Sequence, residues 1–379
     1  MEVLTTTASG SAAGAGSRAG DRRAADDGEV LRSRVQAELD AVLARQRPVL
    51  AEVSPRSEPL LDAVAALVAG GKRLRAAFCA WGYRSAGGQD TAVEARAGAA
   101  LELFQAAALI HDDVMDGSDT RRGMPSVHQQ FSDLHARSGW TGSCERFGEA
   151  AAVLAGDLCL SWSDEVLAAC GAAPERLAAA SLVFDRMRTQ LMAGQYLDVL
   201  EQASGASAPE GADERALRVL RWKSAKYTVE HPLLIGAALA GASAGQRAAL
   251  SAYGLPLGEA FQLRDDVLGV YGDAVVTGKP TGDDLREGKR TMLVALAARR
   301  GSAEDASELS ALLGSPDLDD DGVAVLQDLI RRTGALAAVE QLIDDLVTRS
   351  RAALAEAPVT EAARAALGDL VSIATARTA

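Results

Sequence analysis

The chain has 379 residues, of which 48% are hydrophobic and only 4% aromatic, and its formal net charge is −13. This acidic balance argues against a nucleic-acid partner, and the four cysteines and four histidines lack the spacing of a zinc site. The N-terminus has no signal-peptide pattern and no apolar stretch is long enough to span a bilayer, so we expect a cytoplasmic protein without a membrane span.

Helix-favouring residues dominate the chain, because blocks of Ala, Leu, Glu and Arg outnumber β-branched and aromatic segments, and this predicts an all-α fold. The composition of residues 1–28 predicts a disordered tail, and residues 29–379 are expected to form a single domain. In chain order, helices are expected at 29–45, 59–69, 73–83, 91–116, 147–170, 175–200, 213–240 and 244–271, with two or three more towards the C-terminus.

Two acidic clusters end long apolar segments of these predicted helices. The first contains Asp112 and Asp116, which share a helix face because they are four residues apart, and the second is Asp265-Asp266. Buried carboxylates are costly without a counter-charge, and a divalent cation removes their repulsion. Because Mg²⁺ combines one or two carboxylates with phosphate oxygens, the clusters predict a shared cavity for metal ions and a phosphorylated substrate. For either cluster alone, a solvated helix end is the alternative.

Basic residues stand close to these acids in the sequence. Lys72 and Arg75 lie at a predicted helix start, where cations oppose the helix dipole and a bound anion would offset the penalty. Arg121 and Arg122 directly follow the first cluster. Further cations near polar or glycine-containing segments are Lys223, Lys279 and Lys289. Each alone is most simply a surface charge, but their placement beside the acids favours an anion site.

Together these motifs resemble the trans-isoprenyl diphosphate synthase (polyprenyl synthetase) family, particularly its bacterial geranylgeranyl diphosphate synthases. The resemblance covers about residues 30 to 350. It rests on motifs in a specific order, at 71–75, 105–116, 120–123, 194–198, 223–225, 261–266, 278–279 and 288–291. It implies an isoprenoid-synthase-type bundle of helices around a deep central cavity, and a homodimer. The implied activity is a Mg²⁺-dependent prenyl transfer in which isopentenyl diphosphate condenses with an allylic diphosphate.

The same resemblance implies roles for individual residues. Asp112 and Asp116 would hold two Mg²⁺ ions and Asp265 a third, with Asp266 supporting it, so three ions are expected. The allylic diphosphate would contact Arg121, Lys223 and Lys289, with Lys279 on the same side. Isopentenyl diphosphate would be held by Lys72, Arg75, Gln105 and Arg122. Ser224 and Gln262 belong to the matching motifs and are expected to contact substrate, and the expected catalytic set is Asp112, Asp116, Lys223 and Asp265.

Two positions depart from the family pattern. Many relatives have a third acid where Gly269 stands, and with two carboxylates left we expect the third metal ion to be retained. Gln105 occupies a position that is often His in bacterial relatives. Both side chains can donate a hydrogen bond to an oxygen, so we expect function to persist.

Product length is expected to depend on the helix that ends at Asp112. Farnesyl synthases of the family commonly place aromatic residues four or five positions before the first Asp, where this chain has Ala108 and Ala107. The next bulky residue on that face is Phe104, and a floor three residues further away deepens the pocket by about 4.5 Å. This predicts geranylgeranyl diphosphate, C20, as the main product. The alternatives are that Phe104 is an ordinary core residue facing elsewhere, and that the product is C15 or longer than C20.

Other functions fit the motifs less well. A class I terpene cyclase also has an aspartate-rich helix, but its second metal motif is usually of an Asn/Ser/Glu type and it has no second diphosphate site such as Lys72 and Arg75. Prenyl transfer to a protein or aromatic acceptor would likewise leave these two cations without a role. A non-catalytic partner subunit should have lost acids from one cluster, and this chain keeps both.

Overall fold

The computed structural model describes residues 13–204, 211–272 and 281–375, and nearly all of them belong to helices, which confirms the all-α prediction. The helices are α1 (Ala13–Val53), α2 (Glu58–Val68), α3 (Leu74–Ser85), α4 (Thr91–Asp116), α5 (Val127–Arg137), α6 (Cys144–Ala168), α7 (Pro174–Ser204), α8 (Ala212–Val219), α9 (His231–Ala240), α10 (Ala244–Tyr271), α11 (Asp283–Arg286), α12 (Met292–Arg300), α13 (Ala303–Leu312), α14 (Asp320–Arg332), α15 (Ala335–Glu356) and α16 (Glu361–Thr375). A 3₁₀ turn covers Pro55–Ser57 and a π-helix covers Leu220–Glu230. Strands β1 (Thr120–Arg121) and β2 (Met124–Pro125) pair as an antiparallel hairpin.

The first helix begins at Ala13, inside the segment whose composition predicts a disordered tail. It therefore starts earlier than the predicted start at Glu29, while residues 1–12 lie outside the described part of the chain. Beyond the predicted boundary its buried face includes Val35, Leu39 and Val42, and α1 packs against α2 and α4. The single domain over residues 29–379 stays a prediction.

Helix α4 runs through the core and delivers the first acidic cluster to the cavity. It begins at Asp90, whose side chain accepts hydrogen bonds from the backbone N–H groups of Ala92 (2.9 Å) and Val93 (3.4 Å). It ends at Gly117, which takes the left-handed conformation with φ 65°. Most of its side chains are buried against α3 and α6, so the acids at its end are held by a rigid element.

The π-helix is packed between α7 and α10 by close backbone contacts. A Cβ atom added at Gly194 of α7 would overlap the Lys223 backbone nitrogen, and one added at Gly258 of α10 would overlap the Ala225 carbonyl oxygen. π-helical turns are rare and often occur at functional sites. Here the turn presents Lys223, Ser224 and Tyr227 to the central cavity.

Candidate active site

A cavity of about 1100 Å³ opens between α3, α4, α7, the π-helix and α10. Most of the predicted site residues line it, namely Lys72, Arg75, Phe104, Gln105, Ala108, Asp112, Arg121, Arg122, Lys223, Ser224, Gln262, Asp265, Asp266 and Lys289. Within the described chain, Asp116 and Ala107 are not among the lining residues: Asp116 lies just behind the wall and Ala107 is fully buried in the core. Of the predicted alanine pair, only Ala108 therefore faces the passage. Lys279 lies outside the described residues.

Asp112 is neutralised by cations that come from distant helices. Its Oδ1 lies 3.0 Å from Lys223 Nζ and accepts a hydrogen bond of 3.0 Å from Gln195 Nε2. Burial alone would raise the pKa of Asp112, but the charges of Lys223 and Lys289 outweigh burial and lower the pKa to about 2. Burial likewise opposes the charge of Lys223, yet Asp112 and Asp198 raise the pKa of Lys223 above its ordinary value. Both groups are therefore charged at neutral pH.

Asp116 is more deeply buried, and its side chain is only 1% exposed. Its Oδ2 lies 3.1 Å from Lys289 Nζ, while its Oδ1 accepts no hydrogen bond from any described residue. Burial raises the pKa of Asp116 against the opposing charge of Lys289. A buried carboxylate oxygen without a donor is costly unless another cation completes its contacts.

The middle acid of the first cluster has a different place. Asp113 is buried and accepts a 2.8 Å hydrogen bond from Arg121 Nε, and the two side chains form an ion pair. The Arg121 guanidinium also lies 3.8 Å from Asp112 Oδ2. Asp113 thus anchors an arginine that lines the cavity.

The second cluster lies on α10, which also lines the cavity. Asp265 and Asp266 both line the cavity, and Gln262 Nε2 donates a 2.8 Å hydrogen bond to Asp266 Oδ1. Burial raises the pKa of Asp266 to about 8, and repulsion from Asp284 adds to that effect. A metal ion bound here would remove both penalties at once.

A separate basic region surrounds Arg75. Its guanidinium lies 4.3 Å from the centre of the Tyr227 ring and donates a 2.9 Å hydrogen bond to Thr228 Oγ1. The Tyr227 hydroxyl donates to Gln105 Oε1 at 2.6 Å, so the Gln105 side-chain nitrogen takes no part in this bond. Arg122 packs beside Gly71 and donates to the Leu67 carbonyl at 3.1 Å, and burial lowers the pKa of Arg122.

Several residues of the site received no role from sequence. Asp198 lies 2.6 Å from Lys223 Nζ, Gln195 bonds Asp112, and Tyr227 links Arg75 to Gln105. Gln195 and Asp198 belong to the motif at 194–198, on which the family resemblance partly rests. The sequence therefore pointed to these two residues but not to the side chains that they contact. Tyr227 follows Lys223 by four residues and lies in none of the motifs that support the resemblance.

A model of one protein family, described as polyprenyl synthetase, matches residues 57–330. The chain belongs to the polyprenyl synthetase family. Among relatives of this polyprenyl synthetase, the geranylgeranyl diphosphate synthase of Mycobacterium tuberculosis is 33% identical over 341 residues, 88% of this chain and 90% of that protein. The geranylfarnesyl diphosphate synthase of Aeropyrum pernix is 33% identical over 300 residues, 78% of this chain and 86% of that protein.

The fold of this polyprenyl synthetase is also that of a solved relative. The crystal structure of geranylgeranyl pyrophosphate synthase from Corynebacterium glutamicum, complexed with isoprenyl diphosphate and magnesium, superimposes with a TM-score of 0.86 at 39% identity. The match covers 92% of this chain and 98% of that one. The protein is thus a prenyltransferase that makes prenyl diphosphates. Because its relatives are named for different products, the family alone does not fix the product length.

The family uses Mg²⁺, and the oxygen donors of this prenyltransferase suit that ion. Within the described residues, no group of three or more acidic, Cys or His side chains can hold a metal ion by itself. Mg²⁺ does not require such a group, since it keeps waters and takes phosphate oxygens from substrate. The donor-free Oδ1 of buried Asp116 and the raised pKa of Asp266 are the features that a bound cation would relieve. No helix in the described chain has the length and apolar character to cross a membrane.

Proposed function

We propose that the enzyme condenses isopentenyl diphosphate with an allylic diphosphate to give geranylgeranyl diphosphate, C20, and diphosphate. The observation that supports this length is the position of Phe104 beyond Ala108 on the cavity wall. The Phe104 side chain is 1% exposed and its ring packs edge-to-face on Phe184 at 5.8 Å and on Tyr227 at 6.3 Å. These two aromatic contacts fix the Phe104 ring against α7 and the π-helix, which supports its proposed role as the floor for a growing chain.

The two acidic clusters are proposed to hold three Mg²⁺ ions, two through Asp112 and Asp116 and one through Asp265 with support from Asp266. When bound, these ions supply neutralising charge for the departing diphosphate. Lys223, Lys289 and Arg121 are proposed to bind the allylic diphosphate, with Lys279 on the same side.

The region around Arg75 is proposed to bind the diphosphate of isopentenyl diphosphate. Lys72, Arg75, Gln105 and Arg122 all line the cavity, and Ser224 and Gln262, which also line it, are proposed to contact substrate. Two diphosphate sites distinguish a synthase from a terpene cyclase, which binds one. With both substrates held, the homoallylic double bond attacks the allylic carbon, and the released diphosphate accepts the proton that is lost. Apolar walls such as Leu109, Leu160 and Leu191 exclude water from the reactive carbon.

We further propose that the enzyme acts as a homodimer, as the resemblance implies. Apolar side chains that are exposed on α6 and α7 support this, because Leu154 is 56% and Leu182 is 72% accessible. The expected cytoplasmic location stays a prediction.

The test of the function is incubation of the enzyme with Mg²⁺, isopentenyl diphosphate and, in separate reactions, dimethylallyl, geranyl or farnesyl diphosphate. Chromatography of the dephosphorylated products should show a C20 alcohol as the main species. No elongation from any primer would reject synthase activity, whereas a C15 or longer main product would reject only the proposed length.

The proposed role of Phe104 as the floor of the cavity is tested by one variant that deepens the cavity and one that blocks it. Phe104→Ala should lengthen the main product by at least one isoprene unit, and Ala108→Phe should shorten it to C15. Loss of a buried phenyl ring costs about 3–5 kcal/mol of stability, so Phe78→Ala, which removes a fully buried ring away from the cavity wall, is the matched control. An unchanged product from both passage variants would contradict Phe104 as the floor.

A further inference from the structure

Two arginines that line the cavity have a backbone conformation that residues other than glycine rarely adopt. Arg73 and Arg122 are the non-glycine residues of the described chain with a positive φ, at 51° and 55°. This left-handed region is disfavoured for residues that carry a Cβ atom, and it persists where surrounding contacts enforce it. Arg73 stands between Lys72 and Arg75, directly before α3, so its conformation sets the path of the segment that carries these two cations.

The Arg73 side chain is bound to three helices. Arg73 belongs to the cavity wall, yet only 3% of its side chain is exposed. Its Nη1 donates a 2.9 Å hydrogen bond to Glu102 Oε2 on α4, and its Nη2 donates one of 2.6 Å to Gln36 Oε1 on α1. Nη2 also donates to the Val68 carbonyl at the end of α2. Both terminal nitrogens of this guanidinium group are therefore used within the protein.

The carbonyl end of α2 ties Arg73 to the turn of the hairpin β1–β2. The last carbonyl groups of a helix have no partner within the helix, and basic side chains are favoured beside them. Arg73 donates to the Val68 carbonyl, and Arg122 donates to the preceding one, that of Leu67, at 3.1 Å. The two arginines with positive φ are thus fixed by neighbouring carbonyl groups of one helix.

Gln36 holds the loop backbone as well as the Arg73 side chain. Its Oε1 accepts a second hydrogen bond, 3.3 Å long, from the Gly70 backbone N–H. Gln36 lies on α1 and is not among the residues that line the cavity within the described chain. A residue outside the cavity wall therefore constrains both ends of the segment from Gly70 to Arg73, in which Lys72 stands.

Arg75 differs from Arg73 in the use of its nitrogens. Arg75 donates to Thr228, but its buried Nε has no acceptor among the described residues. A buried donor without an acceptor is costly, and a bound anion would remove that cost. The charge of Arg73 is instead matched by Glu102, in an ion pair whose side chains are 3% and 7% exposed. Arg75 is therefore suited to hold an anion, and Arg73 to hold the segment that carries Arg75.

We propose that Arg73 is a positioning residue for isopentenyl diphosphate, because it fixes the path of Lys72 and Arg75. Glu102 and Gln36 hold Arg73 in turn. The inference rests on the proposed binding of isopentenyl diphosphate by Lys72 and Arg75. Arg73 acts without touching the substrate, so its replacement should raise the KM for isopentenyl diphosphate and leave the KM for the allylic primer near its wild-type value.

Steady-state kinetics with farnesyl diphosphate as primer tests this assignment, because one condensation then completes the proposed product. Gln36→Ala removes an acceptor outside the cavity wall and should raise the KM for isopentenyl diphosphate by roughly 10-fold or more, since small displacements of positioning groups are costly. Arg73→Lys should do the same, because one ammonium group keeps the charge but cannot span Glu102 and Gln36. Gln46→Ala is the matched control and should keep both KM values, since Gln46 also lies on α1 and donates to another helix, at 2.9 Å to Glu165.

Glu102→Gln separates positioning from a direct effect of charge. Neutralising an acid that lines the cavity would by itself favour a bound anion and lower the KM for isopentenyl diphosphate. Because Glu102 holds Arg73, the change should instead weaken a charge-assisted hydrogen bond and raise this KM. An unchanged or lowered KM in Glu102→Gln, or wild-type KM values in folded Gln36→Ala and Arg73→Lys, would overturn the inference. Wild-type enzyme that forms no product with any primer would instead reject the proposed function.

Discussion

Among single residues, His231 carries a buried titratable ring at the point where the π-helix passes into α9. It is 3% exposed, and burial lowers the pKa of His231 from 6.5 to about 4. Between these two values the unfolded chain binds more protons than the native state, so stability rises with pH across the window and is lost as pH falls through it. The size of the effect is about 3 kcal/mol, from the pKa difference at 1.36 kcal/mol per unit.

We therefore expect the free energy of unfolding to fall by a few kcal/mol between about pH 7 and about pH 4 on account of this ring alone. Urea unfolding at both pH values, for the wild type and for His231→Gln, measures that share. The variant should show a smaller loss of stability on acidification, since glutamine does not titrate. Equal losses in the two proteins would contradict the assignment.

The sequence predicted which charged residues share the cavity, but it did not predict which of them form ion pairs. The motifs predicted that Asp112, Lys223 and Lys289 would share one cavity, because their order along the chain is specific. They could not predict that Lys223 also pairs with Asp198, since such a pairing depends on how α7 and the π-helix pack. They equally could not show that Asp113 anchors Arg121 while Asp112 of the same motif lines the cavity.

At the scale of elements, the π-helix is the feature that helical periodicity missed. The pattern predicts one continuous helix over 213–240, whereas the structure divides this range into α8, the π-helix and α9. In this range the backbone lies close to two neighbouring helices, at Gly194 of α7 and Gly258 of α10. Hydrophobic periodicity reports which face is buried, and it does not report the distance between two backbones.

Gly258→Ala should disturb this packing. The added methyl group would overlap the Ala225 carbonyl oxygen and lie 2.9 Å from its carbon, so the π-helix must shift and carry Lys223 and Ser224 with it. We expect a loss of about 1–3 kcal/mol in stability, the usual cost of overpacking, and a larger fall in kcat than in a stability-matched core variant.

The control for this change is Gly368→Ala on α16, where an added Cβ meets nothing within 4 Å. Because alanine favours helix over glycine by about 1 kcal/mol, this variant should be neutral or slightly more stable. Thermal unfolding of both variants measures the change in stability, and steady-state kinetics measures the change in kcat. Wild-type kinetics for a destabilised Gly258→Ala would show that the π-helix does not position the site.

For the whole molecule, the exposed apolar residues of α6 and α7 lead to a prediction about assembly. Sedimentation should give twice the 39.3 kDa mass of the chain. Leu154→Glu with Leu182→Glu should shift the enzyme towards the monomer, because each charge would be buried in the proposed interface. Ile373→Glu, at a 54% exposed position on α16, is the control and should leave the dimer intact. A monomeric wild type would refute the proposed assembly.

The all-α architecture was predictable from the sequence, because a composition rich in Ala and Leu with few β-branched segments favours helices over strands. The family resemblance added the central cavity, and the matched motifs line it as a group. The start of α1 at Ala13 was missed, since composition is a weak guide to where a long helix begins. The close approach of the Asp284 carboxylate to Gly269 could not be predicted either, because it depends on how α11 packs against α10.

The ion pairs that tie Lys223 and Lys289 to the acids of the cavity have a consequence for how substrate enters. On the proposed roles, a diphosphate that binds with Mg²⁺ would bring both signs of charge, so that the carboxylates would hold the metal ions and the lysines would bind phosphate oxygens. Substrate binding would then exchange one ion pair for another, and no buried carboxylate or ammonium group would be left without an opposite charge. When the diphosphate leaves with its ions, the same lysines would pair again with the same acids.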